Sequence, residues 1–290
     1  MSQIVCLTSP RLSRSGLGRA RAFIACIWAT TWHGVRMRPI ERRPFPTSRR
    51  FVLGAMRTGR KMAPMAAMVQ VDVTNAWRRI ESENVSPTAF VLACVGRAVA
   101  AHPEVHAYRD WFGRLVVHHH VDVTTMVEVD TETGTYPLAH PIQDTDTRTV
   151  ADLSAELRRI KTAPATGLSG RLLLRWGSVV TRVPGLVSLV YFVMRRSAWV
   201  RSGTGTVAVS SVGMMLGGSG FTLGVMTMTT LQVIVGGASE RPWVVEGEVK
   251  VRRILDLTAQ IDHRIVDGAP AARFGATLRS LLENPDLIEW

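Results

Sequence analysis

The sequence predicts an α/β protein, and three observations carry that expectation. First, apolar runs of period two alternate along the chain with runs of helical period. Second, 290 residues at 46% hydrophobic and 20% charged suit a globular chain with a large core. Third, the C-terminal part reads as strand, short join and helix. Residues 254–259 form an apolar run with one face buried, and residues 269–282 follow with helical spacing. Pro270 suits the first turn of that helix. Ala271, Phe274, Leu278 and Leu281 share one face, and Pro285 stands past its end.

Residues 1–48 show no period. They are expected to be a disordered extension or translation from an upstream start, with Met37 as the alternative first residue. Their apolar piece, residues 22–29, is too short to span a membrane. Residues 1–50 hold ten arginines and one acid, so they account for +9 of the net +12. The remainder is close to balance, and no nucleic-acid partner is expected. Cys6, Cys26 and Cys94 have neither metal spacing nor a disulfide framework, which fits a reducing, cytoplasmic setting.

From residue 49 onward the elements come in order. Residues 49–56 read as a short helix and residues 65–74 as a strand. Ser86 and Pro87 open a helix whose buried face holds Val91, Val95, Ala98 and Val99, with Cys94 as a core residue. Residues 115–124 and 126–129 read as strands, with a turn at Thr133-Gly134. His118, His119 and His120 lie in the first of these. Neighbouring side chains on a strand point to opposite faces, so the three cannot converge on one ion, and no metal is expected. Residues 150–160 form an amphipathic helix with Leu153 and Leu157 inward.

Residues 163–203 are an apolar insertion with flanking arginines. Trp176, Tyr191 and Trp199 in it fit an interfacial helix or a cover over an apolar channel, and helical packing on the protein itself is the plainer expectation. Peripheral membrane contact through residues 172–200 follows from the first option. Residues 206–214 read as a strand with Val207 and Val209 on one face and Ala208 and Ser210 on the other. The glycine run 217–220 lacks the pattern of a phosphate loop. Residues 231–237 form a buried strand, and a hairpin follows around Glu246-Gly247-Glu248.

His263 and Asp267 fall at the join between the last strand and the last helix. A side chain there is exposed in a cleft while both flanks are rigid. Histidine titrates near neutral pH and is the usual general base. The spacing alone is not specific, but the longer string is. Asp-His-Arg-Ile-Val-Asp-Gly-Ala, then Ala-Ala-Arg-Phe and Leu-Leu-Glu-Asn-Pro, resembles the C-terminal signature of the 2-oxoacid dehydrogenase acyltransferases. These are the dihydrolipoamide acyltransferase components, which share a fold with chloramphenicol acetyltransferase. The resemblance covers roughly residues 49–290, and Pro64 is followed by Met65 where the family usually has a histidine.

What the resemblance implies is concrete. The fold is a chloramphenicol acetyltransferase-like two-layer sandwich, a mixed sheet flanked by helices. The active unit is a homotrimer with sites between subunits, open to larger assembly. His263 is the base. Asp267 holds its loop, often through an arginine, for which Arg49 or Arg50 is the candidate. Ser210 bonds the oxyanion, with Ser211 as runner-up. The chemistry is CoA-dependent acyl transfer from a thioester to a thiol or hydroxyl, with acyl-CoA as substrate. The N-terminal residues show no lipoyl turn around Lys61, so no covalently attached lipoyl group is expected, and the chain either accepts acyl groups from a separate lipoyl carrier or acts on a different acceptor. The alternative is a non-catalytic scaffold or membrane-associated homologue.

Overall fold

The computed structural model describes residues 40–43, 45, 47–131, 134–162, 185–201, 203–211 and 217–290. Packing divides the chain into Met1–Phe45 and Pro46–Trp290. In the first unit, Arg43 Nε donates to Glu41 Oε1 at 2.7 Å. The expectations for residues 1–39 and 163–184, and for the turn at Thr133, lie outside the described residues.

The second unit opens with α1 (Thr47–Gly59), β1 (Pro64–Asp72), α2 (Thr74–Ser82) and α3 (Pro87–Ala101). Short strands β2 (Tyr108–Arg109) and β3 (Leu115–Val116) pair with each other. Then come β4 (Val123–Thr131), β5 (Gly134–Ile142), α4 (Val150–Thr162), α5 (Leu186–Arg196) and α6 (Ala198–Arg201). The chain closes with β6 (Val207–Ser210), β7 (Leu231–Val245), β8 (Glu248–Asp262) and α7 (Gly268–Glu283).

Six strands make one mixed sheet in the order β1-β8-β7-β6-β4-β5. β6 runs parallel to β4 and β7, and the other pairs are antiparallel. Period-two alternation sorts the side chains. Val71, Val123, Val207, Val209, Val233, Leu255, Leu257 and Ile261 enter one core with Phe90, Leu92 and Val95 of α3, Leu153 of α4 and Phe274 and Leu278 of α7. The expected two-layer sandwich of mixed sheet and helices is the fold observed.

The other face of β8 is polar yet buried: Asp256, Thr258, Gln260 and Asp262 are all hidden from solvent. The backbone between β6 and β7 covers it. Gly220 N–H donates to Asp256 Oδ2 at 2.7 Å and Gly224 N–H to Gln260 Oε1 at 3.3 Å. The close approach requires glycine. A Cβ on Gly237 would stand 1.8 Å from the Gly218 carbonyl oxygen. The glycine run is thus a packing device on this face.

Three local expectations need correction. Residues 117–122 are not strand, because the Asp122 carbonyl accepts from Thr206 and Val207 N–H and the His118 ring turns inward against Tyr108. Ser86 does hold the N-cap position of α3, but its side chain makes no cap hydrogen bond, and its N–H donates to Ser154 Oγ at 2.9 Å. The last strand before the hairpin is also longer than its apolar run. β7 and β8 continue past the sheet as a ribbon that turns at Glu246-Gly247, both with positive φ.

Candidate active site

β8 and α7 fix His263 from both sides. β8 ends at Asp262, His263 to Asp267 form the join, and α7 starts at Gly268. His263 N–H donates to the Ala63 carbonyl at 2.8 Å, tying the loop to the turn ahead of β1. The imidazole is 50% exposed, with Nδ1 3.7 Å from Asp267 Oδ1. That is an electrostatic contact, too long for a hydrogen bond. Asp267 itself is 88% exposed at the N-cap of α7. Among the described residues its ion pair is with His263, and the two candidates for a loop-holding arginine, Arg49 and Arg50, lie exposed on α1.

The buried anchor of the loop is Asp262. Its Oδ1 accepts from Ala63 N–H at 3.1 Å and from Arg264 Nε at 2.9 Å. Its Oδ2 accepts from Arg264 Nη2, and Arg195 Nη2 approaches it at 3.4 Å. Burial alone would push this carboxyl up. The forked Arg264, helped by Ala63 N–H, outweighs burial and holds it below the usual carboxylate range. The sequence string displays Asp262, but no local signal names Arg195 as its partner, 67 residues away.

Ser210 is the last residue of β6, on the face turned away from the helices. Register places it opposite Ile234 of β7, and Ile234 opposite Thr258 of β8. Ser210 therefore sits two strands across and five residues short of His263, roughly 10 Å sideways and roughly 16 Å lengthwise. The structure does not bring Ser210 and His263 of one chain together. Ser211, directly after the strand, is no nearer by register.

Behind the His263 loop lies a buried polar cluster that the sequence did not reveal. Thr230 links the two: its carbonyl accepts Asp262 N–H at 2.9 Å, and its Oγ1 donates to the Ala107 carbonyl. On either side of Ala107 stand His106 and Tyr108. His106 Nδ1 pairs with Thr206 Oγ1 at 3.0 Å. Tyr108 stacks on His118 at 5.4 Å, and the guanidinium of Arg201 lies 4.3 Å over the Tyr108 ring. Arg201 is 2% exposed and donates from Nη1 to the Met228 carbonyl at 3.2 Å. Burial pushes Arg201 down to about 10. Burial also pushes His106 down to about 4, with the neighbouring His118 adding to it, and His118 to about 4, with Arg201 adding to it. His118 and His120 rings are 5.2 Å apart, while His119 faces solvent.

The family model for the 2-oxoacid dehydrogenases acyltransferase catalytic domain matches residues 38–169 and 201–289. The lipoamide acyltransferase component of the branched-chain alpha-keto acid dehydrogenase complex of Pseudomonas putida is 41% identical over 80 residues, 28% of this chain and 19% of that protein. The dihydrolipoyllysine-residue acetyltransferase component of the pyruvate dehydrogenase complex of Rickettsia bellii is 24% identical over 222 residues, 76% of this chain and 44% of that one. The chain therefore spans less than half the length of these curated relatives.

Among solved structures, a probable dihydrolipoamide acetyltransferase from Listeria monocytogenes superposes with a TM-score of 0.63 at 18% identity, over 84% of this chain and 94% of that one. The dihydrolipoamide acetyltransferase of Azotobacter vinelandii, studied for the role of a serine, a histidine and an asparagine in its catalytic mechanism, gives 0.62 at 20% identity, over 87% and 98%. These structures share the fold. With the family model matched over both halves of the compact unit, the chain belongs to the 2-oxoacid dehydrogenase acyltransferase family, as its catalytic domain.

Proposed function

We propose that this domain transfers an acyl group between coenzyme A and a thiol, with His263 as general base. The observation that carries the reading is the rigid display of the half-exposed His263 between β8 and α7, inside the family's own string. In the direction from acyl-CoA, His263 accepts the proton of the attacking thiol, of dihydrolipoyl type. The thiolate adds to the thioester carbon. The tetrahedral oxyanion accepts a hydrogen bond from the Ser210 hydroxyl. The carbon–sulfur bond to coenzyme A then breaks, and His263 returns the proton to the departing thiolate. No covalent enzyme intermediate is required. Asp267, beside Nδ1 of His263, stabilises the imidazolium formed in between.

The separation of Ser210 from His263 within one chain supports a site shared between subunits, His263 from one and Ser210 from the next. A trimer, the expected unit, supplies that pairing. The acyl acceptor reaches this site from outside residues 49–290, as a lipoyl group on another domain or chain. Cys94, buried in α3, is consistent with a reducing, cytoplasmic setting.

The test is release of coenzyme A thiol from acetyl-CoA and longer acyl-CoAs with dihydrolipoamide as acceptor. Wild type should turn over. His263→Ala should lose essentially all activity. Ser210→Ala should lose on the order of a hundredfold in kcat with little change in KM, as for one oxyanion donor. A wild-type protein inert with every donor would overturn the reading in favour of a scaffold.

A further inference from the structure

Residues 170–200 fall outside the stretches that match the family model. Yet α5, within that gap, reaches the His263 loop. Val187, Tyr191 and Arg195 recur at i, i+4 and i+8, which places them on one face of α5. That face docks on α1 at Gly54, where a Cβ would stand 2.2 Å from Val187 Cγ1 and 3.2 Å from the Tyr191 ring. One helical turn farther along the same stripe, Arg195 Nη1 donates to the Thr58 carbonyl in the last turn of α1 at 3.4 Å. Its Nη2 faces Asp262 Oδ2, also at 3.4 Å.

Arg264 and Arg195 hold the same carboxylate for different ends. Arg264 belongs to the loop, so its fork ties the loop to itself. Arg195 ties the loop to α5 and α1. The other outside grips on Asp262 and His263 are backbone ones, Ala63 on both residues and the Thr230 carbonyl on Asp262 N–H. We propose that Arg195 is a positioning residue for His263, so that the inserted helix α5 is part of the catalytic apparatus of this chain. The proposal rests on the reading of His263 as the base. The charged groups around Arg195 are Asp262 at the end of β8, Arg264 on the loop and Arg196 beside it on α5, and His263 itself has Asp267 at 3.7 Å.

The test compares full-length Arg195→Gln, Arg195→Lys and Arg196→Gln. Arg196 stacks on Phe192, with its guanidinium 4.4 Å from the ring, and serves as the control for harm to α5 itself. In thiol release, Arg195→Gln should lower kcat about tenfold, roughly one charge-assisted hydrogen bond in a site that keeps Arg264, with KM within about twofold. Arg195→Lys should recover most of the loss, and Arg196→Gln should match wild type.

The second readout needs no turnover. Diethyl pyrocarbonate modification of His263 at pH 7, followed over time by peptide mass spectrometry, reports how firmly its ring is held. The rate should rise in Arg195→Gln, as the loop loosens, and return in Arg195→Lys. A wild type without turnover would sink the proposed function, and the modification rate would still decide the role of Arg195. The proposal is overturned if that rate is unchanged, if Arg195→Gln alters KM with kcat intact, or if Arg196→Gln has the same effect.

Discussion

Lowering the pH from 7 to 5 should destabilise this protein through His106 and His118. Both are buried, and burial keeps each neutral until about pH 4. In the unfolded chain an imidazole protonates near pH 6.5. The sign follows from linkage. The depressed folded value means that the stabilising difference is complete above about pH 6.5 and is lost as pH falls toward 4, because the unfolded state takes up the protons first. Between pH 7 and 5 the loss is about 2 kcal/mol for each histidine. The buried carboxylates Asp256 and Asp262 are held low, so they weaken the fold only at more acid pH, while Asp122, pushed up by burial, contributes equally to wild type and variant and cancels from the difference. The assay is urea unfolding followed by tryptophan fluorescence at fixed protein concentration, in half-unit steps. His106→Asn keeps a partner for Thr206 and removes one titrating group. Between pH 5 and 6 it should reduce the slope by about one proton, roughly 1.4 kcal/mol per pH unit. An unchanged slope would refute the claim that His106 stays neutral in the folded state. His140, also pushed down by burial, adds to the slope of both proteins and cancels from the difference.

Arg241 forks onto Asp256, which is almost wholly buried, so Arg241→Met should leave an uncompensated carboxylate and cost about 3–5 kcal/mol in the same urea assay at pH 7. Gly54→Val should push α5 off α1, because the space its side chain needs is occupied by Val187 and Tyr191. Overpacking of this kind costs about 1–3 kcal/mol, and the displaced Arg195 should lower kcat as well. A variant of normal stability and activity would show that the two helices are not held against each other there.

Local sequence made the site's main chain legible. The strand, the join and the helix around His263 each carry their own signal: apolar alternation, Pro270 in the first turn and a spaced apolar face. The structure agrees with these to within a few residues. The two-layer arrangement followed from the resemblance and is the one observed. What was illegible is what depends on distant residues. Nothing near Arg195 in sequence says that it turns toward Asp262, and nothing in the alternation of β8 says that its polar face is buried beneath the glycine run. The overlong strand through His118 had a similar origin. Alternation continued through residues 117–122, but the backbone bonds there were taken by Thr206 and Val207, and the His118 ring found Tyr108.

The two buried carboxylates of β8 act as register marks. Asp256 and Asp262 lie six residues apart on one face, each seized by arginine, with Leu255, Leu257 and Ile261 between and beside them on the other. A slip of β8 by one residue against its neighbours would turn both charges into the apolar layer and bring the leucines and the isoleucine out against Arg241, Arg264 and Gln70. Hydrophobic alternation alone penalises such a slip in proportion to area. Two ionised groups penalise it almost absolutely, since neither finds a partner among the helices' apolar side chains. Strand alignment in this sheet is therefore set to the single residue, and with it the height at which His263 leaves the strand.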